Sequence, residues 1–281
     1  LPQTIQQQES EQGWQAGLAL KLAAKNGRTV LHSSRHFGPL RVQRPFYPEG
    51  ANCHLYLLHP PGGMVAGDSL AIEVNLAAAA QSLITTPAAG KLYRVANGLT
   101  QYQGVHATLG EAALLEWLPQ ETIIFNGAQG QLVNRFELAA GARLIGWDIV
   151  CLGRRASGER FTTGQLQQSI EIYRQGRPLF IDRVHFTGGA ELLDAPWGMN
   201  GGSVSGTLFA TLEDQSLSMD ALREQLPAGH NWGLSRRGEV LLLRYLGDSS
   251  QDCRRGFEAM WGVLRPQLLG WAPLRPRIWN T

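Results

Sequence analysis

The run His59-Pro60-Pro61-Gly62-Gly63-Met64-Val65-Ala66-Gly67-Asp68 stands between two short apolar segments, Cys53 to Leu58 and Ser69 to Leu76. Its prolines fix φ and its glycines open backbone angles closed to other residues, so it reads as a shaped loop leaving one strand and entering the next. A second run, Thr85-Thr86-Pro87-Ala88-Ala89-Gly90-Lys91-Leu92-Tyr93-Arg94, follows the apolar segment 82–86 and has the same character. Loops of this kind carry function more often than the elements they join, and Asp68 closes the first of them.

Outward from these loops the pattern repeats. Short apolar or alternating segments bounded by Gly, Pro or Asn recur at 17–22, 29–34, 100–109, 113–118, 131–138, 143–152, 164–174, 178–185, 202–212 and 239–246, a spacing that predicts many strands. In Gln165-Leu166-Gln167-Gln168-Ser169-Ile170-Glu171-Ile172-Tyr173 the residues Leu166, Ile170 and Ile172 face one way, with a break at Gln168, and the opposite face reads as wet. Two helices are expected, both in the C-terminal third. Ser218 is a candidate N-cap for 219–226, which Pro227 stops, and the stripe Cys253, Phe257, Met260, Trp261, Leu264 and Leu268 marks 250–269. The expected fold is mainly β: a disordered segment 1–12, then one unit made of a β-rich body (13–200) and an α+β C-terminal portion (201–281).

Composition narrows the class of function. A chain of 281 residues with 43% hydrophobic content buries a sizeable core, and a net charge of +2 argues against a nucleic-acid footprint. There is no run of about 18 apolar residues, and the first dozen residues are Gln-rich and acidic rather than basic then apolar. Neither a membrane span nor a secretory signal is therefore expected, and the simplest localisation is cytoplasmic. Cys53, Cys151 and Cys253 are about a hundred residues apart, so they read as buried free thiols rather than as a zinc knuckle or disulfide framework. His32 with His36, or His54 with His59, could be drawn as ligand pairs, but no His-Glu-x-x-His pattern supports them.

The familiar catalytic signatures fail. Ala89-Gly90-Lys91-Leu92 lacks both the spacing and the hydroxyl of a phosphate loop, and Gly202-Ser203-Val204-Ser205-Gly206 lies in a strand pattern rather than at a nucleophile elbow. What remains is a set of carboxylates in apolar or glycine-rich surroundings: Asp68, Glu116, Asp148, Glu171 and Asp182. Asp148 lies between Leu144-Ile145-Gly146-Trp147 and Ile149-Val150-Cys151-Leu152, where a bare carboxylate would cost several kcal/mol and must be paired, hydrated or bound to a cation. An ion pair with Arg143, Arg154 or Arg183 and a functional role both satisfy that demand. Arg183 is likewise the structural partner to expect for Asp182. A row of such carboxylates inside a β body would make a hydrated, cation-attracting passage.

Several pieces, in order, carry a resemblance to the urease accessory protein UreD (UreH) family. They are Val42-Gln43-Arg44-Pro45-Phe46-Tyr47-Pro48; the stretch Cys53 to Gly63 running on to Gly67-Asp68; Thr85 to Arg94; Leu115-Glu116-Trp117-Leu118-Pro119-Gln120-Glu121; Trp147-Asp148-Ile149-Val150-Cys151-Leu152-Gly153-Arg154; and the closing Pro276-Arg277-Ile278-Trp279-Asn280-Thr281. The resemblance covers 13–281. It implies an elongated helical stacking of short strands with two C-terminal-region helices, and a scaffold rather than an enzyme. Such a scaffold acts with an all-α accessory partner, UreF, and a GTPase, UreG, on the urease apoprotein in a higher-order hetero-oligomer. Nickel in transit is the only metal it implies, with no tightly bound cofactor.

Carried over to this chain, the resemblance points to Asp68, Asp148 and Asp182 as residues lining a nickel passage, with Glu171 a further candidate. Asp182 stands where many relatives have Glu, one methylene longer. Lys91 and Arg94 read as loop anchors or partner contacts, since a cation repels a cation. Trp271, Trp279 and the segment 273–276 would either dock a partner or pack on the chain's own body. The competing readings are a metal-dependent hydrolase, which needs about three clustered His, Asp or Glu ligands, and a β-rich interaction protein without a metal role.

Overall fold

The computed structural model describes residues 13–212, 217–228 and 231–280, so the segment 1–12 lies outside the described residues. Among the described residues eighteen strands run in chain order: β1 (Gln15–Lys25), β2 (Arg28–Phe37), β3 (Arg41–Val42), β4 (Cys53–Leu58), β5 (Ser69–Leu76), β6 (Gln81–Thr85), β7 (Gly90–Leu92), β8 (Gln101–Leu109) and β9 (Leu114–Leu118). Then come β10 (Thr122–Ile124), β11 (Gln129–Leu138), β12 (Arg143–Arg154), β13 (Glu159–Arg160), β14 (Gln165–Arg174), β15 (Arg177–Thr187), β16 (Val204–Thr211), β17 (Asn231–Arg237) and β18 (Val240–Gly247). The helices are α1 (Glu191–Asp194), α2 (Met219–Arg223) and α3 (Ser250–Leu269). The expected mainly β fold with C-terminal helices is the one observed; Ser218 caps α2 as expected, its Oγ accepting from Ala221 N–H, and Ser249 Oγ caps α3 by accepting from Asp252 N–H.

From β4 to β14 the chain winds. Strands β5, β8, β11 and β14 are parallel neighbours in a seven-stranded sheet, while β4, β6, β9 and β12 are parallel neighbours in an eleven-stranded one. The path alternates between the sheets, so each pair of strands adds one coil to a stack. At one end the coils are closed by tight turns of one kind: Leu76-Ala-Ala-Ala-Ala80, Leu109-Gly-Glu-Ala-Ala113 and Leu138-Ala-Ala-Gly-Ala142. Their flanking leucines and closing alanines are all buried, and the turns bond to one another, as in Gly110 N–H to Leu76 O and Ala139 N–H to Leu109 O. Only small side chains let such turns stack this closely.

At the other end lie the long connections, including both loops quoted above. They are neighbours: Met64 N–H donates to Lys91 O at 2.8 Å and Tyr93 N–H to Met64 O at 3.0 Å. Gly67 takes φ +79°, which a side chain would resist, and a Cβ on Gly63 would strike the Tyr93 ring at 2.4 Å. The eleven-stranded sheet is extended by β16, β18 and β17, antiparallel to β12 and to one another. One core fills the space between the sheets, and a second lies between the eleven-stranded sheet and α3, where Cys253, Phe257, Met260, Trp261 and Leu264 of the expected stripe are all buried. Trp279 also joins this second core, packing on Trp147 and Trp261 and donating from Nε1 to Thr85 Oγ1. That settles its two expected fates in favour of the chain's own body.

A wholly buried ion pair fixes α3. Arg265 Nε donates to Glu116 Oε1 at 2.8 Å with both side chains at 0% exposure, and its two terminal nitrogens reach Glu49 and Glu116. Trp261 Nε1 and Asn52 Nδ2 complete the shell around Glu116. Burial pushes the Glu49 carboxyl up, but hydrogen bonds from His54 and Arg265 outweigh it and hold the group down at about 2. Removing the arginine would leave Glu116 as an uncompensated charge. Arg265→Leu should therefore lower unfolding free energy by about 3–5 kcal/mol, read from denaturant midpoints; a loss within experimental error would show that the pair anchors nothing.

Candidate functional site

Alternation within strands decides which polar side chains enter the space between the sheets. Along β12, Trp147 faces α3, so Asp148 faces the seven-stranded sheet. Across the ladders Asp148 aligns with Thr207 on β16 and Arg244 on β18, and the opposing sheet presents a rung of Asn134, Ile170 and Asp182. A polar stripe thus crosses an otherwise apolar interface. Asn134 Nδ2 donates to Asp148 Oδ2 at 2.8 Å and Gln168 Nε2 to the same oxygen at 3.0 Å. The break in alternation at Gln168 is the place where a carboxamide reaches across the sandwich to this carboxylate.

None of the arginines that the sequence offered to Asp148 is its partner. Arg143 donates to Leu268 O, Arg154 pairs with Glu159, and Arg183 pairs with Glu171. Asp148 is 7% exposed and is held by neutral amides. Burial pushes its carboxyl up from the usual aspartate range, and Gln168, Asn134 and the Ile149 backbone offset this only in part. The trio joins the linings of two cavities, Asn134 and Asp148 on one and Gln168 on the other. One, of about 430 Å³, is lined by His59, Met64, Lys91, Gln103, Asn134 and Asp148; the other, of about 630 Å³, is lined by Gln168, Asp182, Trp197, Thr207, Arg244 and Tyr245.

The other expected site residues are placed differently. Asp182 faces the second cavity and is paired with Arg244 at 2.7 Å, not with Arg183, because adjacent residues on a strand point to opposite faces. Glu171 lies on the outer face of the seven-stranded sheet, bound by Arg183 at 2.7 Å and Arg135 at 3.3 Å, so it is not brought together with Asp148. The Arg183 bonds are the largest influence holding its carboxyl low. Asp68 is buried, and its two oxygens accept from Trp14 N–H at 2.9 Å and Val65 N–H at 2.8 Å, pinning the first loop to the start of β1. Lys91 lies at the rim of the first cavity and Arg94 is exposed against Gly127.

Two further residues line the first cavity: His59, which sequence offered only as a pair with His54, and Met64, which it did not offer. His59 is half-buried, and burial pushes its imidazole down, with Asp68 opposing. Met64 contributes a buried thioether. The thiols offer little by comparison, since burial pushes Cys53 up to about 11 and Cys151 to about 12 and keeps both protonated. Among the described residues no group of three or more His, Cys, Asp or Glu is arranged to hold a metal ion, and no helix is long and apolar enough to cross a membrane.

Stacked coils with a buried, amide-bonded carboxylate between their two sheets define a mainly β chain. The family follows from comparison. A model of the UreD urease accessory protein family matches residues 15–280. The chain is 48% identical over 276 residues to the urease accessory protein UreD of Saccharophagus degradans, covering 95% of this chain and 93% of that protein. It is 45% identical to the protein of that name from Dechloromonas aromatica, covering 99% and 98%, and 43% identical to that of Klebsiella aerogenes, covering 96% and 98%. The chain belongs to the UreD urease accessory protein family, and its role lies in urease maturation.

The raised carboxyl of Asp148 carries a sign. A group whose folded-state pKa exceeds its unfolded value stabilises most below about pH 4 and loses that contribution as pH rises through the folded pKa. Asp148→Asn removes this slope. Thermal melts should therefore find the variant at least as stable as the parent at pH 7, with the difference between them shrinking toward pH 4; a variant clearly less stable at pH 7 would mean that the ionised carboxylate is a structural requirement.

Proposed function

We propose that this chain is a cytoplasmic scaffold that binds the urease apoprotein together with the accessory partners UreF and UreG and conducts nickel between the sheets toward the urease active site. It catalyses no step itself; GTP hydrolysis belongs to the partner GTPase. One observation carries the reading: Asp148 is a buried carboxylate whose side-chain partners are neutral amides, one lining the same cavity as Asp148 and the other lining a second. A carboxylate kept only for stability would be expected on an arginine, as Glu116 is. Held by amides, it is bonded to neutral groups that a passing divalent ion can displace.

The remaining candidates support the path at its ends. Asp182 contributes negative charge on the second cavity beside Arg244, and Asp68 holds the loop that presents His59 and Met64 to the first. Oxygen, imidazole and thioether donors suit a divalent ion of intermediate hardness. Too few of them converge to trap it, which fits transit rather than storage.

Reconstitution tests the proposal. With Asp148→Ala, nickel incorporation into apo-urease should fall by about tenfold or more, while the chain still co-purifies with its partners. Unchanged incorporation and urease activation in an assembled complex would leave a β-rich interaction protein with no metal role.

A further inference from the structure

The two carboxamides at Asp148 deepen this reading, and the inference rests on the passage proposed above. Both amides spend their donors on one oxygen, Asp148 Oδ2, and they come from different strands of the opposing sheet, Asn134 on β11 and Gln168 on β14. Asn134 lines the first cavity and Gln168 the second. The hydrogen bonds therefore link the lining of one cavity to that of the other, and an ion moving between them past Asp148 would meet all three side chains.

A carboxamide has two faces: an NH2 group that donates and an oxygen that accepts or coordinates. Which face is turned to Asp148 depends on what the carboxylate carries. A carboxylate oxygen accepts from N–H groups, and that is the arrangement observed. A cation on the carboxylate repels N–H dipoles and attracts the carbonyl oxygens. Rotation about the terminal C–C bond of each amide exchanges the faces without moving the backbone, because these torsions are broad and roughly two-fold. The displaced NH2 groups would turn toward the two cavities, where water can accept from them.

We propose that Asp148, Asn134 and Gln168 form a switchable divalent-cation relay at the boundary of the two cavities. When empty, the amides close it through their N–H groups; when a cation arrives, they turn and bind it through Oδ1 of Asn134 and Oε1 of Gln168 beside the carboxylate. Three oxygen ligands of one protein charge make a weak, short-lived site, and water completes the shell. The amides provide an exit as well as an entry, since re-forming two charge-assisted hydrogen bonds to Asp148 favours release. Asn134 and Gln168 are thereby assigned as transfer residues in addition to the carboxylate.

Two substitutions and a control separate this from a structural role. Ni2+ alone is titrated into the full chain in complex with its co-purifying partners, and nickel transfer to apo-urease is followed in parallel. Gln168→Leu removes the ligand oxygen and should weaken Ni2+ binding and slow transfer by about tenfold. Gln168→Glu cannot donate to Asp148 but adds a charged oxygen, so it should bind Ni2+ at least about tenfold more tightly and release it more slowly, since ligand charge tunes affinity at oxygen sites. A merely structural glutamine predicts no gain of affinity in Gln168→Glu. Unchanged or weaker binding in that variant overturns the relay whether or not Gln168→Leu assembles. If Asp148→Ala alone transfers nickel at the parental rate, the passage itself is refuted; if Asp148→Ala fails while both Gln168 variants match the parent, only the relay is.

Discussion

A carboxylate buried between packed layers must be compensated, and this chain compensates two of them in opposite ways. Glu116 and Asp148 lie in the same eleven-stranded sheet but point to opposite faces. Glu116 meets a guanidinium, an indole N–H and a carboxamide, and the resulting network joins α3 to the sheet. Such a site is closed, because every lone pair direction is engaged by a donor that cannot leave without exposing a buried charge. Asp148 meets two neutral carboxamides that can turn in place. The first arrangement ties a helix to the sheet, and the second joins the two sheets through neutral groups.

The coil geometry makes the second arrangement possible. Parallel strands in register bring every second residue of each coil to the inner face, so Asn134 on β11 and Gln168 on β14 lie on the face of one sheet opposite Asp148 on the other. Asn134, Gln168 and Asp148 come from three different strands, yet they converge on a single oxygen. The tight alanine-rich turns at one end hold the coils in that register, while the longer loops at the other end leave room for the cavity bordered by His59 and Lys91. Asp68 contributes to this indirectly, as the carboxylate that ties the first long loop to the entry of β1.

Much of this was legible in the sequence, and what was not has definite physical causes. Strands β4 and β5 are read to the residue because Gly and Pro bound them, and α3 because its stripe has helical period. β17 was missed: Trp232 and Leu234 are too few to set an alternation among Asn, Gly, Ser and Arg. Parallel pairing was hidden because it joins strands about 30 residues apart, although the recurring Leu-x-x-x-Ala turns at 76, 109 and 138 were a usable signal. Sequence marked Asp148 and Glu116 as needing partners but could not name them, since Arg265 lies 149 residues from Glu116. The arginine neighbours proposed for Asp148 and Asp182 were drawn from nearby sequence, whereas strand geometry sends adjacent side chains to opposite faces. Gln168 was noticed only as an interruption, and only the opposing sheet reveals that it reaches Asp148.

Passage of a divalent cation between the sheets at Asp148 is the step on which the proposed function stands. Anomalous diffraction at the nickel absorption edge, from crystals of the assembled complex soaked in Ni2+, tests it without relying on any variant. A peak within coordination distance of Asp148 Oδ2, between the two cavities, is the result predicted. Peaks confined to surface histidines, with the amides of Asn134 and Gln168 still donating to an empty carboxylate, would contradict it.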